Sequence, residues 1–253
     1  MLEVFLLEGQ LEWNIPLLVV LIGIGVSYVV LLRIFTDNKI YHQQPVLFFF
    51  SFTLLYLIIG SPFSTLNHLS ISLHMLQMSV LFFVIPPLLI LSIPSNFPPI
   101  AIAFNIPPTA PLITFAVMFF SYHLQVVLTY LSLNPFIHNS YLILLLVLSF
   151  FIWQPIVKKH DQRFAFLSGI VLLPACSLLI LSGILGDSEN PLLSGIMSSL
   201  CMSPSTLSSL HILPAPFNTR GDLIMAGILM MGMHKFALLI TLRLKNKVLT
   251  GNS

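Results

Sequence analysis

The sequence predicts an all-α, polytopic integral membrane protein: a bundle of seven transmembrane helices, with the N-terminus outside and the C-terminus cytoplasmic. Composition, the spacing of apolar runs and the sorting of charges each point to it. Hydrophobic residues make up 57% of the chain and charged residues only 7%, and the mean hydropathy is +1.00. A soluble globular domain has roughly a quarter of its residues charged. The 253 residues suit a single transmembrane domain, because each crossing needs about 20 apolar residues.

Apolar runs predict spans at 14–35, 45–61, 74–95, 107–131, 140–157, 164–186 and 222–242. The strands of a membrane barrel would alternate in polarity, and the run from Leu142 to Phe151 does not. The first span is expected to be retained, since Glu3, Glu8 and Glu12 stand where a cleavable leader carries bases. Pro45, Pro62, Pro94, Pro107 and Pro191 mark span boundaries. Pro86, Pro87 and Pro174 fall inside spans and should kink them. Residues 187–221 form one long extracytoplasmic loop, rich in Ser and Pro yet still partly apolar, as an interfacial segment would be.

Charge sets the orientation, because Lys and Arg in short loops are retained on the cytoplasmic side. Arg33 and Lys39, then Lys158, Lys159 and Arg163, then Arg243, Lys245 and Lys247 all fall on one side of seven alternating spans. Glu3, Glu8, Glu12, Asp187, Glu189 and Asp222 fall on the other. Eight of the ten bases and six of the eight acids thus segregate, which favours an outside N-terminus. The bases are few and are accounted for by orientation, so nucleic acid is not an expected partner; the lipid bilayer is. Cys176 and Cys201 lack metal-type spacing and do not suggest a disulfide framework.

The residues able to do chemistry are mainly histidines and methionines. His74 and Met78, at i and i+4, share a helix face at the start of the third span, and imidazole nitrogen with thioether sulfur is a donor set that suits Cu(I). His42 and His160 belong to cytoplasmic loops, whereas His68, His74, His138 and His211 lie near the outer face. His123 is expected eight residues inside the fourth span, roughly 12 Å deep at the helical rise. His234 is expected midway along the seventh. Ionisable groups in a membrane are costly and usually face the bundle interior, so both are candidate ligands. The plainer alternative is a neutral imidazole hydrogen-bonded between helices. Met230 and Met231 share a helix side with His234, although methionine also serves as core filler. Lys235 is expected to snorkel toward the cytoplasmic surface. No phosphate-binding glycine loop, HExxH or nucleophile elbow is present, and no catalytic role is expected.

In order along the chain stand Gly60-Ser61-Pro62, His74-Met75-Leu76-Gln77, Pro86-Pro87, Tyr122-His123-Leu124, Asn134-Pro135-Phe136-Ile137-His138, Trp153-Gln154-Pro155, and Asp222 with Ala226-Gly227. This series resembles the CtaG assembly factors of Gram-positive caa3-type cytochrome c oxidase, which are seven-span proteins. Met78 stands where that family has a second histidine, and Tyr141-Leu142 where it commonly has a Glu-His pair. The resemblance implies a bacterial plasma-membrane protein that helps mature a haem-copper oxidase. It would insert copper at the buried copper centre, with the oxidase subunit carrying that centre as its partner. The expected metal site is His74, Met78, His123 and His138 in the outer half of the bundle, with His234 below. The residues alone also allow a haem-binding redox protein, a transporter of copper or a small solute, and a scaffold whose histidines only tie helices together.

Overall fold

All regular structure among the described residues is helical, in eight segments. The computed structural model describes residues 13–35, 43–62, 64, 70–93, 107–159, 161–185 and 220–250. His42, His68, His160, His211, Cys201 and nearly all of the expected 187–221 loop lie outside them. The segments are α1 (Ile15–Phe35), α2 (Gln43–Ile59), α3 (Ile71–Ser92), α4 (Thr109–Tyr122), α5 (Gln125–Leu133), α6 (Pro135–Gln154), α7 (Gln162–Leu185) and α8 (Arg220–Thr250). Five of them, α1, α3, α6, α7 and α8, are long and apolar enough to cross a membrane. At the other two expected positions, α2 and α4 are apolar but shorter, with 17 and 14 residues. Large apolar side chains such as Val19, Val26, Ile143, Phe166 and Leu239 point outward. Such a surface is tolerated when the solvent is lipid, and the chain is a multi-pass membrane protein.

The central element is α3. It packs against α8 through its first half, and against α2 and α6 through its second. Its middle departs from α-helical geometry, with a π-turn at Val80–Val84 in which the Ile85 N–H reaches the Val80 carbonyl. Pro86 and Pro87 explain the turn. The Phe82 carbonyl would bond the N–H of residue 86 in an α-helix or that of residue 87 in a π-helix, and proline supplies neither. Trp153 of α6 satisfies it instead, its indole N–H donating to the Phe82 oxygen at 3.0 Å. A second π-turn, Pro155–Lys159, extends α6. By contrast, α7 passes through Pro174 as one uninterrupted helix.

The most extensive helix pair is α7 with α8. Their close approach depends on Gly227, where an added Cβ would lie 2.8 Å from the Cys176 carbonyl and 2.7 Å from Ile180. The helix α1 packs mainly on α2. Their shared end is joined where the Asn14 N–H donates to the Gly60 carbonyl at 2.9 Å.

The fourth expected span, 107–131, is not one helix. It breaks after Tyr122: Leu124 is extended (φ −72, ψ 127) and α5 restarts at Gln125. The His123 N–H bonds the Phe120 carbonyl three residues back, and its side-chain Nδ1 takes the Phe119 carbonyl at 2.5 Å, so the last turn is tight and self-capped. His123 therefore ends a helix and does not lie two turns inside one.

Candidate functional site

Buried polar groups at one end of the bundle hold the N-terminal end of α3 in place. Ser70 is its N-cap. The Asp222 carboxylate, from the start of α8, accepts from the Ile71 N–H at 2.7 Å, the Ser72 N–H at 3.2 Å, the Ser70 hydroxyl at 2.8 Å and the Ser72 hydroxyl. An anion at a helix N-terminus meets unpaired N–H groups and the positive end of the dipole. Here it also staples α8 to α3 one turn before His74. Gln77 ties the same stretch to α2, its Nε2 donating to the Ile58 carbonyl at 3.0 Å.

Two contacts then lie side by side, made by neighbouring residues of α3 and neighbouring residues at the end of α4. In the first, the Tyr122 hydroxyl sits between two imidazoles, 2.9 Å from His74 Nε2 and 3.1 Å from His138 Nε2. A phenol has one proton, so it can donate to at most one ring, and at least one of the two histidines presents a protonated Nε2 to it. His138 comes from the first turn of α6, which begins at Pro135. Tyr141, one turn later, stacks on Tyr122 with centroids 5.9 Å apart and donates to the Met118 carbonyl at 2.6 Å.

In the second contact, His123 Nε2 lies 3.2 Å from Met75 Sδ, and both residues are buried. The Phe119 oxygen is only an acceptor, so the proton of a neutral His123 must be on Nδ1. Nε2 then carries a lone pair and faces a thioether that has only lone pairs. The two rings at the end of α4, Tyr122 and His123, have centroids 5.8 Å apart, so the two contacts form one cluster.

The sequence-predicted residues thus divide. His74, His123 and His138 belong to this cluster. Met78 is buried in the apolar core, and Met75 is the methionine against a histidine. His234 lies apart, between Phe83 (ring centroids 5.0 Å), Trp153 and Ser168. Among the described residues no three His, Cys, Asp or Glu side chains converge on one point. The structure thus brings His74, His123 and His138 together with Met75 and Tyr122, while Met78 and His234 lie outside that cluster. Two members, Met75 and Tyr122, stand in the motif series but not among the expected site residues. Their signal was adjacency, each being next in sequence to a candidate histidine.

Chemically the cluster offers imidazole nitrogen, thioether sulfur and phenol oxygen, with no thiolate or carboxylate. In general such neutral donors suit soft cations and bind them less tightly than thiolates do. Comparison with curated proteins finds no match, and neither does comparison with solved structures. The family model for the cytochrome c oxidase caa3 assembly factor, Caa3_CtaG, matches residues 26–244. With most of its length covered by that match, this chain belongs to the caa3 cytochrome c oxidase assembly factor family.

Proposed function

We propose that the protein is a non-enzymatic assembly factor that holds Cu(I) transiently at the His74, Met75, Tyr122, His123 and His138 cluster. From there it passes the ion to the oxidase subunit carrying the haem-copper centre. The observation that carries this reading is the pair His123 Nε2 and Met75 Sδ, two lone-pair atoms 3.2 Å apart with no proton to share. In a dry site two facing acceptors repel, and a soft cation bound by both removes the conflict. Where the Tyr122 hydroxyl donates to His74 or His138, its rotation exposes that ring's Nε2 lone pair to the ion. Release is as much a part of the task as capture, and a site without thiolate favours it.

The placement at a bilayer surface supports transfer from outside. In this reading α2 and α4 cross the membrane with the five longer helices, so the helix ends alternate. Arg33, Lys158, Arg163, Arg243 and Lys245 then lie at the end away from the cluster, which becomes the cytoplasmic side of a bacterial plasma membrane. The N-terminus and the cluster are outside.

The test is copper analysis of the detergent-purified protein loaded with Cu(I) under reducing conditions. Met75→Leu and His123→Ala should each weaken retention by about ten-fold or more, comparable to the loss of an important partner in other metal sites. Unchanged affinity in both would remove the site. A second reading is favoured by the Tyr122 bridge, which joins α3, α4 and α6 as hydrogen-bonding glue. Oxidase assembly rescued in cells by a variant lacking all three cluster histidines would select it.

A further inference from the structure

A separate cavity of about 220 Å³ lies between α7 and α8. Phe83 and Phe119 line it, and Gly169, Cys176, Met230, Met231 and His234 are on its wall. Phe119 also touches the His123 ring, at 4.8 Å between centroids, so one phenyl ring separates the cavity from the cluster.

The protonation of His234 follows from its neighbour. Ser168 Oγ has one proton and gives it to the Ala165 carbonyl at 2.8 Å. Toward His234 Nε2, 3.4 Å away, it is then placed to accept, and the tautomer that fits both contacts has the proton on Nε2 and the lone pair on Nδ1. Ser168 is the hydrogen-bond partner of this ring among the described residues. Nδ1 is on the Gly169 side, where even an added Cβ would be 4.0 Å away. A lone pair on a buried side chain thus opens onto the cavity. Around it are the thioethers of Met230 and Met231, four and three residues back on the same helix, with the Cys176 thiol also on the cavity wall.

We infer that this cavity is a second binding site for a soft monovalent cation, Cu(I) or Ag(I), held by His234 Nδ1 and the sulfurs of Met230 and Met231. The donor chemistry selects the ligand class. Nδ1 and the thioethers only accept, so a carbonyl ligand finds no donor among these three atoms, whereas a soft metal ion finds three matched ones. No carboxylate lines the cavity to balance a buried charge, so a monovalent ion is held there at a much lower cost than a divalent one. Methionine has three rotatable bonds, which lets two thioethers close a cavity larger than one ion around it.

The inference does not depend on copper binding at the outer cluster, and Ag(I) titration of the full chain in detergent separates the two. In a His74→Ala, His123→Ala, His138→Ala background, one Ag(I) per chain should remain. Adding His234→Ala, or the volume-conserving Met230→Leu with Met231→Leu, should abolish it. If the triple variant does not fold, the same Met-to-Leu pair in the native chain should lower the stoichiometry by one. The site is overturned if Ag(I) is lost entirely in a folded triple variant, or if it is retained after the His234 and methionine changes. Loss in the triple variant with no effect of His234 would leave the outer cluster as the sole site. The reverse pattern would leave this cavity alone.

Discussion

Trp153 shows how a single residue answers a need set elsewhere in the chain. Two consecutive prolines leave the Phe82 carbonyl without a backbone donor in a membrane, where no water replaces it, and the indole N–H supplies the bond. Trp153→Phe keeps the aromatic bulk and removes the donor. It should destabilise the protein by about 1–3 kcal/mol, the cost of a buried unsatisfied acceptor, measured as a lowered midpoint of thermal unfolding in detergent. An unchanged midpoint would mean that the Trp153 bond to the Phe82 carbonyl adds no net stability. The motif residues Trp153 and Pro86-Pro87 were legible as a pattern, but their relation was not, because 71 residues separate donor from acceptor. Met75 and Tyr122 were hidden for a related reason. A helical face read at i and i+4 favours Met78, yet α3 is surrounded on several sides, so an adjacent residue on another face is equally buried.

Among elements, α3 and α8 are coupled by a carboxylate. Asp222 gathers two backbone N–H groups and two hydroxyls at the first turn of α3, so its loss would leave several donors unpaired at once. Asp222→Ala should cost more than the roughly 1–3 kcal/mol of one unsatisfied group and should loosen the turn that carries His74. Faster hydrogen exchange at Ile71–Ser79 would register the loosening. Exchange unchanged there, with stability retained, would show that Ser70 caps the helix alone. The sequence marks Asp222 as an outer-side charge and as part of the motif series, but not as the partner of the first turn of α3. The break in the fourth expected span was also missed, because Gln125–Leu133 continues the apolar composition of Thr109–Tyr122. A capping interaction through a histidine side chain leaves no mark on hydropathy.

At the scale of the whole molecule, the bundle separates a polar mouth from an end bearing the bases. If the mouth faces outward, Ser140→Cys, exposed near His138, should be labelled in intact cells by a membrane-impermeant thiol reagent. Gln162→Cys, exposed between Lys158 and Arg163, should not; both are read in a Cys201→Ser background to remove a competing thiol. Labelling with the opposite sidedness would invert the topology and with it the direction of copper transfer. Hydropathy and charge by themselves determined that this chain is a helical membrane protein, roughly where its helices lie, and which end carries the bases. Those properties are sums over local runs, so a linear reading suffices. Tertiary structure alone decided that His123 meets Met75, that Tyr122 stands between His74 and His138, and that His234 occupies a cavity of its own. Each depends on the rotation of one helix against another and on a single hydrogen's position, and an apolar sequence with nearly uniform hydrophobicity around every helix does not encode either in its periodicity.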